Sequence, residues 1–290
     1  MYESMILWLA SYPKSGNTML RSLIAAYFFT KDGNFNFEAL GFINQFPDVK
    51  FFKNLEIDIY DDTEVTKNYI RAQQEINKKD KNSMRFLKTH STLHDIGGNK
   101  FTDLHNSLGA IYIVRDPRNV VKSYANHNQM NLDIATNALK SFRVLGGNRN
   151  ASNDADRIRT HVGSWSSHYN TWKVFDKLNK YLLVKYEDLV KDTEKTFIQI
   201  LNFIYKLNNV KLIIDKKKLQ NAIKTTSFKN LQSLEEKMNF PEAVKDQENN
   251  SVKFFKYGPK NDGKESLPKE LKKIIEDSFV KEMKELNYLV

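Results

Sequence analysis

The residues that follow the first apolar run of the chain have the composition of an anion-binding loop. They read Ser11-Tyr12-Pro13-Lys14-Ser15-Gly16-Asn17-Thr18. A loop between a strand and a helix points backbone N–H groups at a ligand, and the helix dipole favours negative charge there. Gly16 permits backbone angles that other residues resist, and Lys14 supplies a point charge. The segment therefore predicts a phosphate site over residues 14–18, although an ordinary turn with a helix cap would use the same residue types.

A second candidate anion site follows a later apolar run that ends at Val114. Arg115 stands directly after this run, and Pro117 suits the first turn of a new helix. Ser123 lies about two helical turns beyond Asp116. Because a guanidinium can grip a phosphate with two parallel hydrogen bonds, Arg115 and Ser123 are candidates for phosphate contact. The alternative is a surface ion pair between Arg115 and Asp116 with a helix cap.

A histidine near a strand end is the candidate general base. Lys88-Thr89-His90 follows a short apolar segment, and the pKa of a histidine lies near neutrality. A lone histidine is more often structural, and the chain has five others. Two further segments are weaker signals, typical of a strand end before a helix and of a loop with a stacking aromatic ring: Tyr186-Glu187-Asp188-Leu189 and Thr225-Thr226-Ser227-Phe228.

The elements that must position these residues can be predicted from the apolar runs. Short runs at 5–10, 85–87, 110–114 and 181–184 have the length of buried parallel strands. Helical patterns cover 18–29, 161–178 and 191–207, and a C-terminal amphipathic helix carries Leu271, Ile274, Ile275, Phe279 and Met283. Alternating strands and helices predict a three-layer α/β/α fold with a mainly parallel sheet. Ligands of such sheets bind beyond the carboxyl ends of the strands, where the candidate residues lie.

With no internal repeat and no clean linker, the chain is predicted to form a single domain over residues 1–290. Three segments stand out from the regular pattern. Residues 31–82 predict loops and short helices that could form a lid, and their Phe35, Phe37, Phe42, Phe46, Phe51 and Phe52 fit either an apolar pocket wall or a packed lid. Residues 128–160 are polar and predict a mobile stretch, and residues 239–268 predict a long irregular segment.

Composition excludes several classes of protein. The chain has no cysteine, which excludes disulfides, a thiolate nucleophile and a cysteine-ligated metal. No His and carboxylate residues stand at ligand spacing, so we predict no metal. The net charge of +10 favours an anionic partner or a solvated lysine-rich surface. Because the longest basic cluster, Lys216-Lys217-Lys218, is short, a solvated helix face is favoured over a nucleic-acid partner.

The N-terminal segment and the apolar runs bear on localisation. No run approaches the ~20 residues of a membrane span, and the first ten residues lack the basic start of a signal peptide. We therefore predict a cytoplasmic protein without a transmembrane anchor. The sequence carries no signal for an oligomeric state.

Taken together, the motifs resemble those of the PAPS-dependent sulfotransferases, the cytosolic-type sulfotransferase family. The resemblance runs from the first strand to about Lys264. Tyr12 to Thr18 is similar to the 5′-phosphosulfate loop of that family, and Arg115 with Ser123 is similar to its 3′-phosphate motif. Lys88-Thr89-His90 resembles the segment with the catalytic histidine. Weaker matches stand in the family order, namely Gly163-Ser164-Trp165, Tyr186-Glu187-Asp188 and Thr226-Ser227-Phe228.

The resemblance implies a donor and a set of roles. The donor is 3′-phosphoadenosine 5′-phosphosulfate (PAPS), the product is 3′-phosphoadenosine 5′-phosphate (PAP), and no metal is needed. By this resemblance Lys14 stabilises the bridging oxygen, Lys88 stabilises the sulfuryl oxygens and His90 takes the proton of a hydroxyl or amine acceptor. The implied donor-binding residues are Lys14, Ser15, Gly16, Asn17, Thr18, Met19, Arg115, Ser123, Tyr186, Thr226, Ser227, Phe228, Lys256, Tyr257 and Gly258.

The chain departs from the family pattern at the donor site. Met19 stands where the family usually has a tryptophan that stacks on adenine, and a thioether packs on a ring without that plane. Lys256-Tyr257-Gly258 replaces a late Arg-Lys-Gly, so Lys256 offers the 3′-phosphate a point charge instead of a fork. Gly263 stands at the position of a further tryptophan. The resemblance identifies 239–268 as a loop that covers the donor.

A second function remains open at the level of sequence. A P-loop small-molecule kinase would also bind phosphates beside a strand, but its loop needs G-x-x-x-x-G-K-[ST], whereas Lys14 precedes Gly16 here. The acceptor is predicted to be a small molecule, a lipid or a glycan, with a peptide as a further possibility. The segments 31–82 and 128–160 are predicted to line its pocket.

Overall fold

The centre of the fold is a five-stranded parallel sheet with the strand order β2-β3-β1-β4-β7. This computed structural model describes residues 5–79, 84–147 and 158–289 except 239, 241, 245, 247 and 249. The strands of the sheet are β1 (Met5–Ala10), β2 (Asn44–Gln45), β3 (Met84–Thr89), β4 (Ser107–Val114) and β7 (Tyr181–Lys185). The predicted parallel sheet is thereby confirmed. A separate antiparallel pair is formed by β5 (Val144–Leu145) and β6 (Thr160–His161).

Helices cover both faces of the sheet, as the α/β prediction expected. They are α1 (Asn17–Phe29), α2 (Asp62–Lys67), α3 (Tyr69–Lys78), α4 (Pro117–His127), α5 (Leu132–Lys140), α6 (Trp165–Trp172), α7 (Tyr186–Lys191), α8 (Thr193–Leu207), α9 (Lys216–Thr225), α10 (Phe228–Lys237), α11 (Gly263–Ser266), α12 (Lys269–Ser278) and α13 (Val280–Glu285). Short 3-10 helices lie at Phe37–Phe42, Val49–Phe51, Lys173–Leu178 and Gly258–Lys260.

Strand β1 shows how the sequence builds two cores. Successive side chains of a strand point to opposite faces, so a strand covered on both faces must be apolar throughout. Trp8 packs in one core against Phe101 and Trp172, whereas Leu7 and Leu9 belong to the other core. The parallel register places Ala10 beside Thr89 of β3 and Tyr112 of β4. The ends of β1, β3 and β4 therefore meet at one edge of the sheet.

Some predicted elements differ in the structure. The predicted helix 161–178 is wrong in its first residues, because Gly163 has a positive φ of 74° and α6 begins only after its Ser164 cap. The predicted C-terminal helix is interrupted at Phe279, which adopts a non-helical conformation between α12 and α13. Its periodicity continues across the break, which is why the sequence pattern did not reveal it.

Two of the irregular segments carry regular structure. Segment 31–82 contains the short strand β2, which the sequence did not signal because two residues show no periodicity. Segment 128–160 contains α5, whose Ala135 and Leu139 are buried, although the composition predicted a mobile stretch. Residues 148–157 of that prediction lie outside the described residues, as do 80–83 and several positions of 239–268.

The six phenylalanines of segment 31–82 do not form one continuous wall. Phe46 and Phe52 pack in the core with Tyr69, at ring centroid distances of 5.7 Å between the two phenylalanines and 6.2 Å from Phe52 to Tyr69. Phe37 packs in the opposite core against Phe240, and Phe42 is 61% exposed. The packed-segment interpretation fits better. Within the described ranges, no helix is both long enough and apolar enough to cross a bilayer.

Candidate functional site

A cavity of about 520 Å³ opens at the carboxyl ends of β1, β3 and β4. Residues that the sequence singled out line it together, although they are far apart along the chain. They are Lys14, Gly16, Asn17, Thr18, Met19, Lys88, His90, Arg115, Ser123, Tyr186, Phe228, Tyr257 and Gly258. The parallel register explains the convergence, because each of these strands ends at the same edge.

The loop after β1 is shaped by two left-handed residues. Lys14 has a φ of 67°, and Gly16, which caps α1, has a φ of 101°. A Cβ on Gly16 would lie 2.3 Å from the Tyr186 ring, so the position requires glycine for space as well as conformation. Asn17 ties the start of the helix to the strand, since its amide donates to the Leu9 carbonyl at 2.9 Å. Gly16, Asn17 and Thr18 line the cavity, so the start of α1, where backbone N–H groups lack helical partners, lies at its wall.

Arg115 is held by the elements around the loop. Its guanidinium lies 4.2 Å from the centroid of the Tyr186 ring and donates to the Gly258 carbonyl at 3.0 Å. The neighbouring Asp116 pairs with Arg118 at 2.6 Å and caps α4. The alternative of an Arg115–Asp116 ion pair is therefore not what the structure adopts, and Arg115 is left to face the cavity.

His90 is oriented as a base. Its Nδ1 lies 2.8 Å from the Ser11 carbonyl oxygen, which can only accept, so Nδ1 carries the proton and donates. Nε2 is then the unprotonated nitrogen. Burial, together with the adjacent Lys88 ammonium, holds the pKa of His90 well below its usual range, so the ring is neutral at physiological pH. A neutral imidazole at a cavity wall can accept a proton from a bound hydroxyl or amine.

Glu242 and Phe254, which both belong to the segment 239–268, contact two cations of the cavity. Lys88 Nζ lies 3.3 Å from a carboxylate oxygen of Glu242. Lys14 Nζ lies 3.5 Å from the centroid of the Phe254 ring. Burial lowers the pKa of Lys14 to about 7, against the opposing effect of the Glu242 carboxylate. Glu242 and Phe254 also line the cavity.

Some predicted donor residues lie near the cavity without lining it. Ser15 is fully buried, and Thr226 is fully buried with its hydroxyl donating to the Ala222 carbonyl at 2.7 Å. Ser227 caps α10. Lys256 is exposed, and its ammonium donates to the Asn126 side chain at 2.8 Å. Phe228, by contrast, lines the cavity and lies against Gly258, where an added Cβ would come within 2.3 Å of the ring.

The other end of the cavity is built from the variable segments. Gln45 of β2 stands beside Lys88 in the sheet register, so the residues that follow it reach the neighbourhood of His90. This end is lined by Gln45, Pro47, Asp48, Val49, Leu145, Gly146, Ile158 and Thr160. The segments 31–82 and 128–160 thus both contribute residues to the cavity.

Sequence reasoning missed Arg21, Glu242 and Phe254. Arg21 stands three residues after Thr18 on the same face of α1, a spacing that could have drawn attention to it. No local pattern singles out the other two. Around the loop, several buried polar atoms have no hydrogen-bond partner among the described residues: Ser15 Oγ, Asn17 Oδ1, Arg21 Nε and Arg115 Nε. Buried polar groups are normally satisfied, so these atoms indicate a site for a polar ligand.

Solved structures share this fold at low sequence identity. Mouse sulfotransferase SULT7A1 complexed with PAP superposes with a TM-score of 0.58 at 17% identity, covering 98% of this chain and 86% of that chain. A retinol dehydratase in complex with androsterone and the inactive cofactor PAP gives a TM-score of 0.59 at 16% identity, covering 96% and 80% of the respective chains. At these identities the likeness concerns the fold.

Sequence relatives and a family model identify the family to which the chain belongs. Mouse sulfotransferase 2A6 is 27% identical over 191 residues, which cover 63% of this chain and 58% of the relative. Mouse sulfotransferase 2A2 is 24% identical over 263 residues, which cover 89% and 77%. The matched part of the chain thus spans less than two thirds of the first relative. The family model for the sulfotransferase domain matches residues 6–287, nearly the whole chain, and the chain therefore belongs to the sulfotransferase domain family.

Proposed function

We propose that this protein transfers a sulfuryl group from PAPS to a hydroxyl or amine of an acceptor, as a single domain in the cytoplasm. The observation that carries the proposal is one cavity that combines a phosphate-type loop, the separate cation Arg115 and the neutral base His90. The family membership and the PAP-bound structures of SULT7A1 and retinol dehydratase support it.

The residues present fit a donor with two anionic ends. The loop from Lys14 to Thr18 offers backbone N–H groups and an ammonium for the 5′-phosphosulfate, and Arg115 with Ser123 offers a fork and a hydroxyl for the 3′-phosphate. Ser15 Oγ and Arg115 Nε, which find no partner within the described ranges, are consistent with polar groups that bind a ligand. We retain Lys256 in the 3′-phosphate site because its neighbours Tyr257 and Gly258 line the cavity.

PAPS supplies an activated sulfuryl group on an adenosine phosphate. His90 Nε2 accepts the acceptor proton, because Nδ1 is committed to the Ser11 carbonyl and the ring is neutral. Lys14 stabilises the negative charge that develops on the phosphate side of the breaking bond, and Lys88 stabilises the sulfuryl oxygens. Both lie in buried surroundings, where such charge stabilisation is stronger than in water.

The acceptor binds at the end of the cavity beyond His90. This end mixes apolar residues such as Val49 and Ile158 with polar ones such as Gln45 and Thr160. A small molecule, a lipid or a glycan with a reachable hydroxyl fits this lining. The bound androsterone of the retinol dehydratase structure supports a small-molecule acceptor for the fold.

The donor assignment is tested by ligand preference. We expect PAP to raise the melting temperature without Mg²⁺ and Mg-ATP to give little shift, because two anion sites face one cavity. At ~100 times its dissociation constant a ligand adds about 2.7 kcal/mol to the stability of the folded state. Thermal shift with each nucleotide, with and without Mg²⁺, checks this. Stabilisation by Mg-ATP and none by PAP would instead favour a small-molecule kinase.

Donor affinity is expected to fall as the pH rises above 7. With a pKa of about 7, Lys14 loses its proton in that range, whereas an anionic ligand beside it favours the charged form. The complex then holds more protons than the free protein, so affinity for PAP declines by up to about tenfold for each pH unit. Titration calorimetry between pH 7 and 9 measures the slope.

Lys14→Arg is the matched control for this pH dependence. A guanidinium stays protonated throughout the range, so the variant should bind PAP with a nearly flat pH profile. Equal slopes for the wild-type protein and the variant would contradict the assignment of the titration to Lys14.

A further inference from the structure

One carboxylate oxygen at the cavity contacts two buried cations. Oε1 of Glu242 lies 2.5 Å from Arg21 Nη2 and 3.3 Å from Lys88 Nζ. The side chains of Arg21 and Lys88 are 4% and 8% exposed, whereas that of Glu242 is 31% exposed. Glu242 lines the cavity, whereas Arg21 is not among the lining residues and contacts the Glu242 carboxylate. The Glu242 carboxylate therefore links the Arg21 guanidinium to a residue of the cavity wall.

The position of Arg21 follows from the loop and its helix. Residues three apart lie on one face of a helix, and side chains lean toward the helix N-terminus. Arg21 stands one turn after Thr18, a residue of the phosphate-type loop, so its guanidinium extends back toward the anion site. Its Nε is buried and has no hydrogen-bond partner in the part of the chain that the structure describes, which leaves donor capacity beyond the contact with Glu242.

The charges explain why an anion belongs there. Removing two cations from water is costly unless an anion compensates them, so Arg21 and Lys88 require a negative group at the point where they converge. Glu242 provides one. Burial acts to raise the pKa of Glu242, but the charges of Lys88 and Arg21 outweigh it and hold that pKa well below its usual range. A ligand that carries its own negative oxygens could take the same place. Of these two cations, only Lys88 has a role in the transfer proposed above, and Arg21 has none.

We propose that Arg21 and Lys88 form a sulfuryl-binding site in which the carboxylate of Glu242 stands in for the donor's sulfuryl group and withdraws when PAPS binds. The inference rests on the proposed function and adds Arg21 as a further donor-binding residue. Glu242 competes with the sulfuryl group and not with the adenosine or the 3′-phosphate, which lie toward Arg115. PAPS and PAP differ by the sulfuryl group alone, so the two ligands separate this site from the rest of the donor pocket.

The experiment compares the dissociation constants of PAPS and PAP by titration calorimetry without an acceptor. Glu242→Gln removes the competing charge and should tighten PAPS about tenfold, with a clearly smaller gain for PAP, because PAP lacks the sulfuryl group and its 5′-phosphate meets the Glu242 charge only beside Lys14. Arg21→Gln should weaken PAPS about ten- to a hundredfold, the range of a hydrogen bond to a charged group, with little effect on PAP. Glu236→Gln, which removes an exposed carboxylate paired with Lys253, is the matched control and should change neither ligand.

The outcomes separate the site from a structural ion pair. If Glu242→Gln leaves PAPS unchanged or weakens it, or if Arg21→Gln weakens PAPS and PAP alike, the pair only holds the segment in place and the inference is wrong. Should Arg21→Gln not fold, Glu242→Gln decides alone. If the wild-type protein binds neither PAPS nor PAP, the proposed function itself is wrong. That result differs from the one in which both ligands bind and a substitution changes their affinities equally.

Discussion

Replacement of His90 by alanine is expected to lower turnover by about 10²–10⁴-fold while leaving affinity for PAP nearly unchanged. The imidazole is fixed through Nδ1 by the Ser11 carbonyl and lines the cavity, so its unprotonated Nε2 is the nitrogen left to accept a proton. A general base touches the acceptor, so its loss removes a proton-transfer step without removing a contact to the nucleotide. Turnover with labelled PAPS and calorimetry with PAP measure the two effects separately.

A matched variant controls for the loss of an imidazole as such. His105 is exposed and lies outside the cavity lining, so His105→Ala should retain both activity and PAP binding. If His90→Ala keeps most of its activity with the true acceptor, another group takes the proton. A parallel loss of PAP affinity would place His90 in the donor site instead.

Replacement of Arg115 by alanine is expected to weaken PAP by about one to two orders of magnitude, the effect of a lost charge-assisted hydrogen bond or two. The loss should be much smaller for adenosine 5′-phosphosulfate, which has no 3′-phosphate. Arg115 is 5% exposed and is already oriented by Tyr186 and the Gly258 carbonyl, so little ordering is needed on binding. Calorimetry with both ligands checks the prediction.

Two variants sharpen this result. Arg115→Lys keeps the charge but not the fork, and it should recover only part of the affinity for PAP. Lys256→Ala should also weaken PAP more than adenosine 5′-phosphosulfate, but by less than Arg115→Ala, because Lys256 is exposed and now engages Asn126. An equal loss for both ligands in Arg115→Ala would mean that Arg115 does not bind the 3′-phosphate.

Much of the fold and of the cavity could be predicted because their signals are local. Runs such as 5–10 and 110–114 are apolar throughout, and only a strand covered on both faces needs that. The residue after each run then falls at the carboxyl edge of the sheet. Arg115, Lys88 and the loop around Gly16 were therefore brought together by topology alone.

The remaining features depend on contacts between distant parts of the chain. Glu242 meets Arg21 across 221 positions, and no pattern near either residue announces that pair. Helix α5 was missed because the segment around it is polar, although Ala135 and Leu139 are buried by tertiary packing. Thr226 was predicted at the donor, but its hydroxyl is used by the preceding helical turn.

The replacement of tryptophan by Met19 has an optical consequence. Trp8, Trp165 and Trp172 are the three tryptophans of the chain, and all are fully buried in one core. Met19 lines the cavity and belongs to the opposite core. Intrinsic indole fluorescence will therefore follow unfolding of the core and remain nearly silent when a nucleotide enters. Met19→Trp would install a fluorophore at the adenine end and turn donor binding into a visible quench.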